Sequence, residues 1–432
     1  MKNEDKKLFP KSFLWGASTA SHQVEGGTHN QWTVWELENA ARLAKTAKKR
    51  LDWMPAWEDI KDQAHDPENY ISGKGIEHYQ RYKEDFKLAK SLNLNSFRFG
   101  IEWSRVEPEE GVWDEKEWQH YREYIQELLG QGLEPVMNLW HWTMPTWFTD
   151  MGAFEKKKNI MYFERFVEKA CQELQIKELN YVLTLNEPNV YSSFGYLTGE
   201  WVPNKKNILT FIKVYYNLTK AHKASYKVLK SYNSKLQIGV AAQLANIQSK
   251  RPQNILDLTA TRWMRYFWNW WFLNRINKYQ DFVGFNYYFT DYYEWGNYKL
   301  LKKGDLSVQK QNPEQPKNDL GWYMEPEGVY PLLVRVWAHY KKPIMITENG
   351  LADGRDEYRR WWIEETLVAM ERALSEDIKL IGYLHWSLLD NFEWAYGWWP
   401  KFGLIDVDHK TMKRTVRSSA KFYAEQIEKL SK

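Results

Sequence analysis

Two glutamates follow apolar segments of the chain in closely similar contexts. Residues 181–189 read YVLTLNEPN and residues 343–350 read PIMITENG, so each segment resembles a buried strand that ends on polar residues. Pro188 disfavours the right-handed α region for the residue before it, so we expect Glu187 in extended geometry at its strand terminus. Glu348 precedes an Asn-Gly turn and is expected at the end of the second strand.

A pair of carboxylic acids that a fold brings together suits cleavage of a glycosidic bond. One acid protonates the leaving oxygen, while the other attacks the anomeric carbon or activates water. The alternative is that Glu187 and Glu348 form independent ion pairs with arginine or lysine, and both interpretations stay open on spacing alone. Metal and nucleophilic-serine chemistry are disfavoured, because the ten histidines show no H-E-x-x-H pairing and no G-x-S-x-G segment is present.

Eight apolar segments, each followed by a helical pattern, must position these glutamates. They are residues 13–18, 96–103, 135–142, 181–188, 237–243, 281–288, 343–350 and 381–388. Helical patterns between them include residues 78–93, 117–132 and 366–377. Eight alternating strand and helix units predict an α/β protein, a (β/α)8 TIM barrel that forms a single domain over residues 1–432. The alternative, an open doubly wound sheet, usually carries a glycine-rich phosphate turn that is missing after the first segment.

Polar and aromatic residues gather at the predicted carboxyl ends of six of these strands. They are Arg98, Glu102, His141, Trp142, Asn186, Glu187, Asn286, Tyr288, Glu348, Asn349 and Trp386. In a barrel these strand ends form one rim, which is where active residues lie. Glu187 and Glu348, on the fourth and seventh strands, are therefore expected to face each other across the barrel mouth.

The composition gives no case for a nucleic-acid partner or a membrane protein. The 60 basic and 56 acidic residues leave a net charge of +4, and no apolar stretch approaches about 18 residues. A single cysteine, Cys171, and a charged amino-terminal segment without a signal-peptide pattern favour a cytoplasmic protein. The 25 tryptophans and 27 tyrosines fit either a large aromatic core or a cleft lined by rings that stack on sugars.

Seven ordered motifs together resemble glycoside hydrolase family 1, the β-glucosidase family. They are FLWGASTASHQVEG, RFGIEWSR, LWHWTMPTW, TLNEP, GFNYYF, ITENG and HWSLLDNFEW. The resemblance covers nearly the whole chain. The motifs that contain Glu102 and Thr143 are similar to those of the archaeal and thermophilic branch of the family. It implies a barrel that hydrolyses terminal β-D-glucosyl residues with retention, with β-D-galactosyl and β-D-fucosyl residues as further candidates. We expect a small β-glycoside or oligosaccharide as the substrate, no cofactor and no metal.

The motifs also imply individual roles at the site. Glu187 of TLNEP is implied as the general acid/base, and Glu348 of ITENG as the nucleophile. Arg98 and Tyr288 are expected to keep Glu348 ionised, and its charge is expected to raise the pKa of Glu187. Asn186 is implied to hold the sugar 2-hydroxyl. The other residues that the resemblance places at the site are Asn286, Gln23, His141, Trp142, Trp386, Glu393, Trp394 and Phe402.

Specificity and outcome are less fixed by the resemblance. Family members that act on 6-phosphorylated sugars carry Ser, Lys and Tyr after the eighth strand, where this chain has Glu393, Pro400 and Phe402. An anionic Glu393 would repel a phosphate, so an unphosphorylated sugar is expected. A transglycosylase that uses an acceptor sugar instead of water is one alternative. A non-catalytic sugar-binding barrel is another, although members of that type typically lose one of the two glutamates.

Overall fold

A closed barrel of eight parallel strands forms the centre of the computed structural model, which describes residues 8–295 and 316–431. Twelve strands lie in this part of the chain: β1 Leu14–Ser18, β2 Ser96–Gly100, β3 Glu134–Asn138, β4 Tyr181–Asn186, β5 Gln237–Gln243, β6 Asn246–Ser249, β7 Val283–Tyr287, β8 Thr290–Tyr293, β9 Ile344–Asn349, β10 Leu380–Trp386, β11 Ile405–Val407 and β12 Arg414–Val416. The barrel closes in the order β1-β10-β9-β7-β5-β4-β3-β2. Its strands coincide with the eight predicted segments, so the barrel prediction is confirmed and the open sheet is wrong.

Helices of very different length surround the barrel. Sixteen lie in the described ranges: α1 Ser21–Val24, α2 Gln31–Lys45, α3 Ala47–Leu51, α4 Trp57–Ala64, α5 His78–Ser91, α6 Trp103–Val106, α7 Glu115–Gly130, α8 Thr146–Asp150, α9 Ile160–Glu173, α10 Pro188–Ser192, α11 Ile208–Tyr232, α12 Ile255–Arg265, α13 Trp271–Ile276, α14 Val329–Tyr340, α15 Arg359–Ser375 and α16 Ser418–Ser431. Two π-helical turns, Ser193–Thr198 and Tyr266–Trp270, directly follow α10 and α12. Of the helices that the structure describes, none is both long and apolar enough to cross a bilayer.

Local sequence signals set several helix starts. Asn30 caps the start of α2 with a capping box. The Asn30 side chain accepts hydrogen bonds from two backbone N–H groups, and the Thr33 hydroxyl accepts one from the backbone N–H of Asn30. Asp114 and Asn254 cap α7 and α12 in a similar way. Pro188 occupies the first position of α10, where its missing N–H leaves no hydrogen bond unmade. The helix patterns predicted from the sequence appear as α5, α7 and the carboxyl-terminal part of α15.

Two apolar clusters hold the barrel together. A small one joins side chains from several barrel strands: Leu14, Val136, Leu183, Ala241, Phe282, Met345 and Leu384. A larger one packs the outer faces of the strands against the helices and contains the fully buried rings of Trp15, Trp103, Trp118, Trp140 and Trp362. The aromatic-core interpretation of the composition is therefore correct for these residues, whose close packing fixes the positions of the strand ends.

The strand register shifts near the carboxyl ends of several barrel strands. The β4–β5 pairing shifts between Leu183 and Asn186, and the β7–β9 pairing shifts between Phe285 and Asn286. A third shift lies near the end of β10. Such irregularities bend a strand and redirect its side chains. They coincide here with the strand ends that carry the predicted site residues.

Candidate active site

The thirteen residues predicted at the site form one connected group at the carboxyl ends of the barrel strands. Eleven of them are buried, and Tyr288 and Glu393 are half-buried. Hydrogen bonds or ring contacts join each of them to at least one other member of the group, as described below. The expectation that strand ends would gather polar groups at one rim is thus met in space.

Glu348, the next-to-last residue of β9, receives a charged donor and a hydroxyl donor. The buried Arg98 guanidinium donates to its Oε1 and forms an ion pair with it. The Tyr288 hydroxyl donates to its Oε2 across 2.6 Å. A cation and a hydroxyl donor both favour the charged form of a carboxylate. These two donors fix the orientation of the Glu348 carboxyl group.

Glu187, directly after β4, has a different set of partners. Its Oε1 accepts a hydrogen bond of 2.8 Å from the Asn286 amide, and no ion pair joins it to a lysine or arginine among the described residues. Burial raises the pKa of Glu187 well above 4.5, the charge of Glu348 raises it further, and the Asn286 hydrogen bond lowers it. The two glutamates share one site, so the alternative of two independent ion pairs is wrong.

The backbone of Glu187 differs from the expected extended geometry. Its φ and ψ are 40° and 59°, in the left-handed region. Pro188 does exclude the right-handed α region, but α10 begins at that proline, and the chain turns from strand to helix within one residue. Trp142 and Trp394, with φ of 72° and 47°, share this unusual conformation. Each such residue costs about 1–3 kcal/mol and persists only where the surroundings enforce it.

Asn186 is hydrogen-bonded both to Arg98, a partner of Glu348, and to Asn286, a partner of Glu187. Its Oδ1 accepts from Arg98 Nη2 at 2.7 Å and from Asn286 Nδ2 at 3.2 Å. Its Nδ2 lies 2.9 Å from His141 Nε2, and its carbonyl accepts from the Trp142 indole at 2.9 Å. Burial, and then the charge of Arg98, lower the pKa of His141 well below 6.5, so that ring is neutral at ordinary pH.

Aromatic rings line the part of the site beside Asn186. The Trp394 ring centroid lies 4.7 Å from that of Trp142 and 5.9 Å from that of His141. Trp386, at the end of β10, lies 6.0 Å from His141 on centroids. The interpretation of some of the aromatic residues as a sugar-binding cleft stays a prediction for these rings. Flat rings of this kind provide faces on which a sugar can stack.

Glu393 is next to Gln23, as the resemblance implies, but its charge state differs from the expectation. The Gln23 amide donates to Glu393 Oε2 at 3.5 Å and more strongly to the Phe392 carbonyl at 2.7 Å. Burial and then the charge of Glu348 raise the pKa of Glu393 to about 8. The pKa shift therefore favours a protonated Glu393 at pH 7, in contrast to the anionic form that was expected.

Phe402 lies on the other side of the site. Its ring centroid is 6.2 Å from those of Tyr288 and Trp322, and Trp322 is itself 5.9 Å from Tyr288. Phe402 therefore packs near Tyr288, whose hydroxyl donates to Glu348. Trp322 was not anticipated, because it lies outside the strand ends and tryptophan is too common in this chain to single it out.

Three further residues missed by sequence reasoning support the predicted ones. The Thr347 hydroxyl donates to Asn286 Oδ1 at 2.6 Å, and Asn391 Oδ1 accepts from Gln23 at 3.0 Å. Both lie inside the ITENG and DNFEW segments, so the motifs contained a signal for them. Trp201 packs 4.7 Å from Trp142 on ring centroids, but it lies in a loop with no strand-end pattern.

Glu102 and Thr143 take no part in this hydrogen-bond group. Glu102 is fully buried, and its Oε2 accepts from Thr143 at 2.8 Å and Ser21 at 3.2 Å. Its Oε1 accepts from Ser104 at 2.7 Å and Asn30 at 3.2 Å. These bonds tie together the segments that follow β1, β2 and β3. Glu102 therefore stabilises the rim, although its strand-end position is like that of the site residues.

Known proteins match this chain over nearly its whole length, in sequence and in fold. The model of the glycosyl hydrolase family 1 matches residues 5–280 and 273–431. β-Glucosidase A of Thermotoga maritima is 30% identical, over 97% of this chain and 97% of its own. A β-galactosidase of Sulfolobus acidocaldarius is 28% identical, over 96% and 94%. The solved β-glycosidase from Pyrococcus horikoshii superposes with a TM-score of 0.82 at 32% identity, over 97% and 94%.

Proposed function

Because the chain belongs to glycosyl hydrolase family 1 and is a β-glycosidase, we propose that it hydrolyses terminal non-reducing β-D-glucosyl residues with retention of configuration. The substrates are small β-glycosides or oligosaccharides. One observation carries the proposal: the two glutamates of one site have opposite partners. Arg98 and Tyr288 donate to Glu348, whereas Glu187 is buried with an amide donor and a raised pKa.

The first step forms a glycosyl-enzyme. A carboxylate oxygen of Glu348 bonds to the anomeric carbon while the bond from that carbon to the leaving oxygen breaks. The proton of Glu187 moves to the leaving oxygen, which departs as an alcohol. Because its pKa is raised, Glu187 can still carry this proton at neutral pH. We assign the sugar 2-hydroxyl to Asn186, whose Oδ1 is held by Arg98 and Asn286.

The second step releases the sugar and reverses the proton transfer. Once Glu348 is esterified its negative charge is gone, so the pKa of Glu187 falls and the ionised form becomes accessible. Glu187 then takes a proton from water, whose oxygen bonds to the anomeric carbon as the ester bond to Glu348 breaks. Two inversions at the same carbon give net retention.

A separate set of site residues is assigned to recognition of the sugar. We assign Gln23, Glu393 and Trp394 to the outer hydroxyls and Trp386 to the ring face. A neutral Glu393 can donate as well as accept, so it suits a hydroxyl better than a phosphate. In the described part of the chain no ion pair joins Glu393 to a lysine or arginine. A 6-phospho-glucoside is therefore expected to be a poorer substrate than the plain glucoside.

β-D-Galactosyl and β-D-fucosyl residues are the alternative sugars, because relatives named β-glucosidase and β-galactosidase both match the chain. Transglycosylation is the alternative outcome, in which an acceptor sugar replaces water in the second step. A cytoplasmic location and a single domain stay predictions. A non-catalytic sugar-binding role is disfavoured, because Glu187 and Glu348 are both present with complementary partners.

The test is a set of aryl β-glycosides that differ only in their sugar, with products followed by ¹H NMR. We expect glucoside turnover and the β-anomer of glucose as the first product. An α-anomer appearing first would contradict retention, and absence of turnover for every sugar would contradict catalysis. Transfer products that dominate when an acceptor sugar is added would favour the transglycosylase.

A further inference from the structure

A second concave site lies outside the thirteen residues of the candidate active site. It is a groove of about 440 Å³ between α12 and the two-stranded sheet formed by β6 and β8. Its lining residues are Gln248, Ser249, Pro252, Leu258, Thr261, Arg262, Arg265 and Tyr292. β6 and β8 begin shortly after the carboxyl ends of barrel strands β5 and β7. The groove, called here the arginine groove, therefore lies on the same end of the barrel as the glutamates.

Three guanidinium groups meet near this groove without a carboxylate partner. Arg265 is half-buried and donates through Nη2 to the Ile247 carbonyl at 2.7 Å, while its Nε is buried and unpaired. Arg262 is exposed on α12, and Arg335 of α14 donates to Asn246 Oδ1 at 2.9 Å. Within residues 8–295 and 316–431, none of the three forms an ion pair.

The charges of these arginines repel one another. Burial, and then the charge of Arg262, lower the pKa of Arg265. Burial, and then the charge of Arg265, lower the pKa of Arg335 to about 10. Among the residues that the structure describes, no carboxylate raises the pKa of either group. Like charges held together in this way cost free energy, and a bound anion would recover it.

Two hydroxyl groups of the lining also lack partners. Thr261, only 3% exposed, has a buried Oγ1 without a hydrogen bond, and so does the Oγ of Ser249. Buried polar groups are almost always hydrogen-bonded, so two orphans in one groove indicate a missing ligand. Glu325 accepts from the Tyr292 hydroxyl at 3.2 Å and Asp257 pairs with Arg251 at 2.7 Å, so neither carboxylate is bonded to the groove arginines or to the two orphan hydroxyls.

We propose that the arginine groove binds an oxyanion of the phosphate class. A guanidinium group donates two parallel hydrogen bonds to such an anion, and hydroxyl donors complete its shell. Arg262 and the unpaired Nε–H of Arg265 supply the charged donors, and Thr261 and Ser249 supply the hydroxyls. The groove lies beyond β5, away from the residues that we assign to the sugar, so a phosphate on the sugar itself would not reach it. The anion is therefore either free in solution or a phosphate carried on the leaving group of a glycoside.

The test measures binding of inorganic phosphate by calorimetry and by the shift in melting temperature. Sodium chloride at matched ionic strength is the reference, because it screens charge without fitting the site. We expect saturable phosphate binding and a phosphate-dependent rise in melting temperature. Arg262→Gln should weaken phosphate binding by about tenfold. Arg355→Gln, which changes an exposed arginine paired with Asp59, is the matched control and should leave phosphate binding unchanged.

Thr261→Val gives an independent check that does not rely on an arginine. Removing an unpaired buried hydroxyl should not lower the melting temperature without phosphate, but it should reduce the phosphate-dependent rise. Heat no greater than that of chloride, or equal phosphate affinity in wild type and Arg262→Gln, would overturn the proposal. These measurements need no turnover, so failure of the proposed glycosidase activity would be seen separately.

The source of the anion is distinguished by a pair of aryl β-glucosides with and without a phosphate on the aryl ring. A higher kcat/KM for the phosphorylated compound that is lost in Arg262→Gln supports a phosphate on the leaving group. Equal kcat/KM values, together with inorganic phosphate binding, support a free anion. In both cases Arg262→Gln should leave hydrolysis of the plain aryl glucoside unchanged.

Discussion

The ends of β4 and β9 present the same residue type to one site, yet they surround it with different partners. At the end of β9, Glu348 receives a guanidinium and a hydroxyl, both of which stabilise negative charge. After β4, Glu187 receives a neutral amide, and burial raises its pKa. A glutamate in such a pair therefore takes its role from the partners that other strands supply. The predictions below test this contrast.

The largest effect is expected where the nucleophile itself is removed. Glu348→Ala should reduce kcat/KM for every glycoside by about 10⁵-fold or more, since no other group can form the glycosyl adduct. Steady-state rates with an aryl β-glucoside measure this loss. Glu364→Ala, which removes an exposed carboxylate on α15, should retain wild-type rates. Comparable losses in the two variants would refute a special role for Glu348.

Removing one donor of Glu348 should have a smaller effect. Tyr288→Phe keeps the ring beside Phe402 but deletes the hydroxyl that donates to Oε2, so kcat/KM should fall by about 10²-fold. Tyr330→Phe removes a hydroxyl bonded to Glu376 at the surface and is the control. An activity of Tyr288→Phe within twofold of the control would show that Arg98 suffices.

The pH dependence of kcat/KM should report the protonation of Glu187. Glu187 must be protonated for the first step, so on the alkaline side of the profile kcat/KM should fall as pH rises through the pKa of Glu187. The Asn286 amide favours the ionised form of Glu187, so Asn286→Ala should move this alkaline limb to higher pH by about one unit. Movement of the limb to lower pH would argue against Glu187 as the titrating acid.

The smallest expected effect is on stability. Glu187 has a raised pKa when folded, whereas an unfolded glutamate titrates near about 4.3. Below that pH both states are protonated, and above it the unfolded state ionises first, so the carboxyl increasingly destabilises the fold as pH rises. Glu187→Gln removes this penalty and should raise the melting temperature by about 1–3 °C at pH 7. Calorimetry should show the difference shrinking towards pH 4, and a difference that grows there would reverse the sign.

The barrel and most of the site could be predicted because they depend on local patterns. Each of the eight apolar segments is long enough to signal a strand by itself, and the motifs put Glu187 and Glu348 at strand ends. Desolvation is not local, however. The protonated state of Glu393 depends on burial and on Glu348, which lies 45 residues away in the chain (393 minus 348). The left-handed backbone of Glu187 likewise depends on the helix that follows it.

Segment 255–267 illustrates a further limit. Aromatic and aliphatic residues were expected in a core or a cleft, but here they face solvent: Ile255 is 76% exposed, Trp263 58% and Phe267 50%. The buried face of α12 instead carries polar residues such as Asp257 and Thr261. Composition and periodicity alone do not reveal which face of such a helix turns inward, so the arginine groove was not visible in the sequence.

The most direct test of the contrast between the two glutamates is azide rescue of their alanine variants with a dinitrophenyl β-glucoside. This leaving group needs little protonation, so Glu187→Ala should still form the adduct on Glu348 and accumulate it. Azide needs no general base, and it should restore turnover and give the β-glucosyl azide. In Glu348→Ala, azide should enter from the opposite face and give the α-azide. The anomeric configuration of each product decides the assignment: swapped configurations would reverse the two roles, and full activity of both variants without azide would place the chemistry elsewhere.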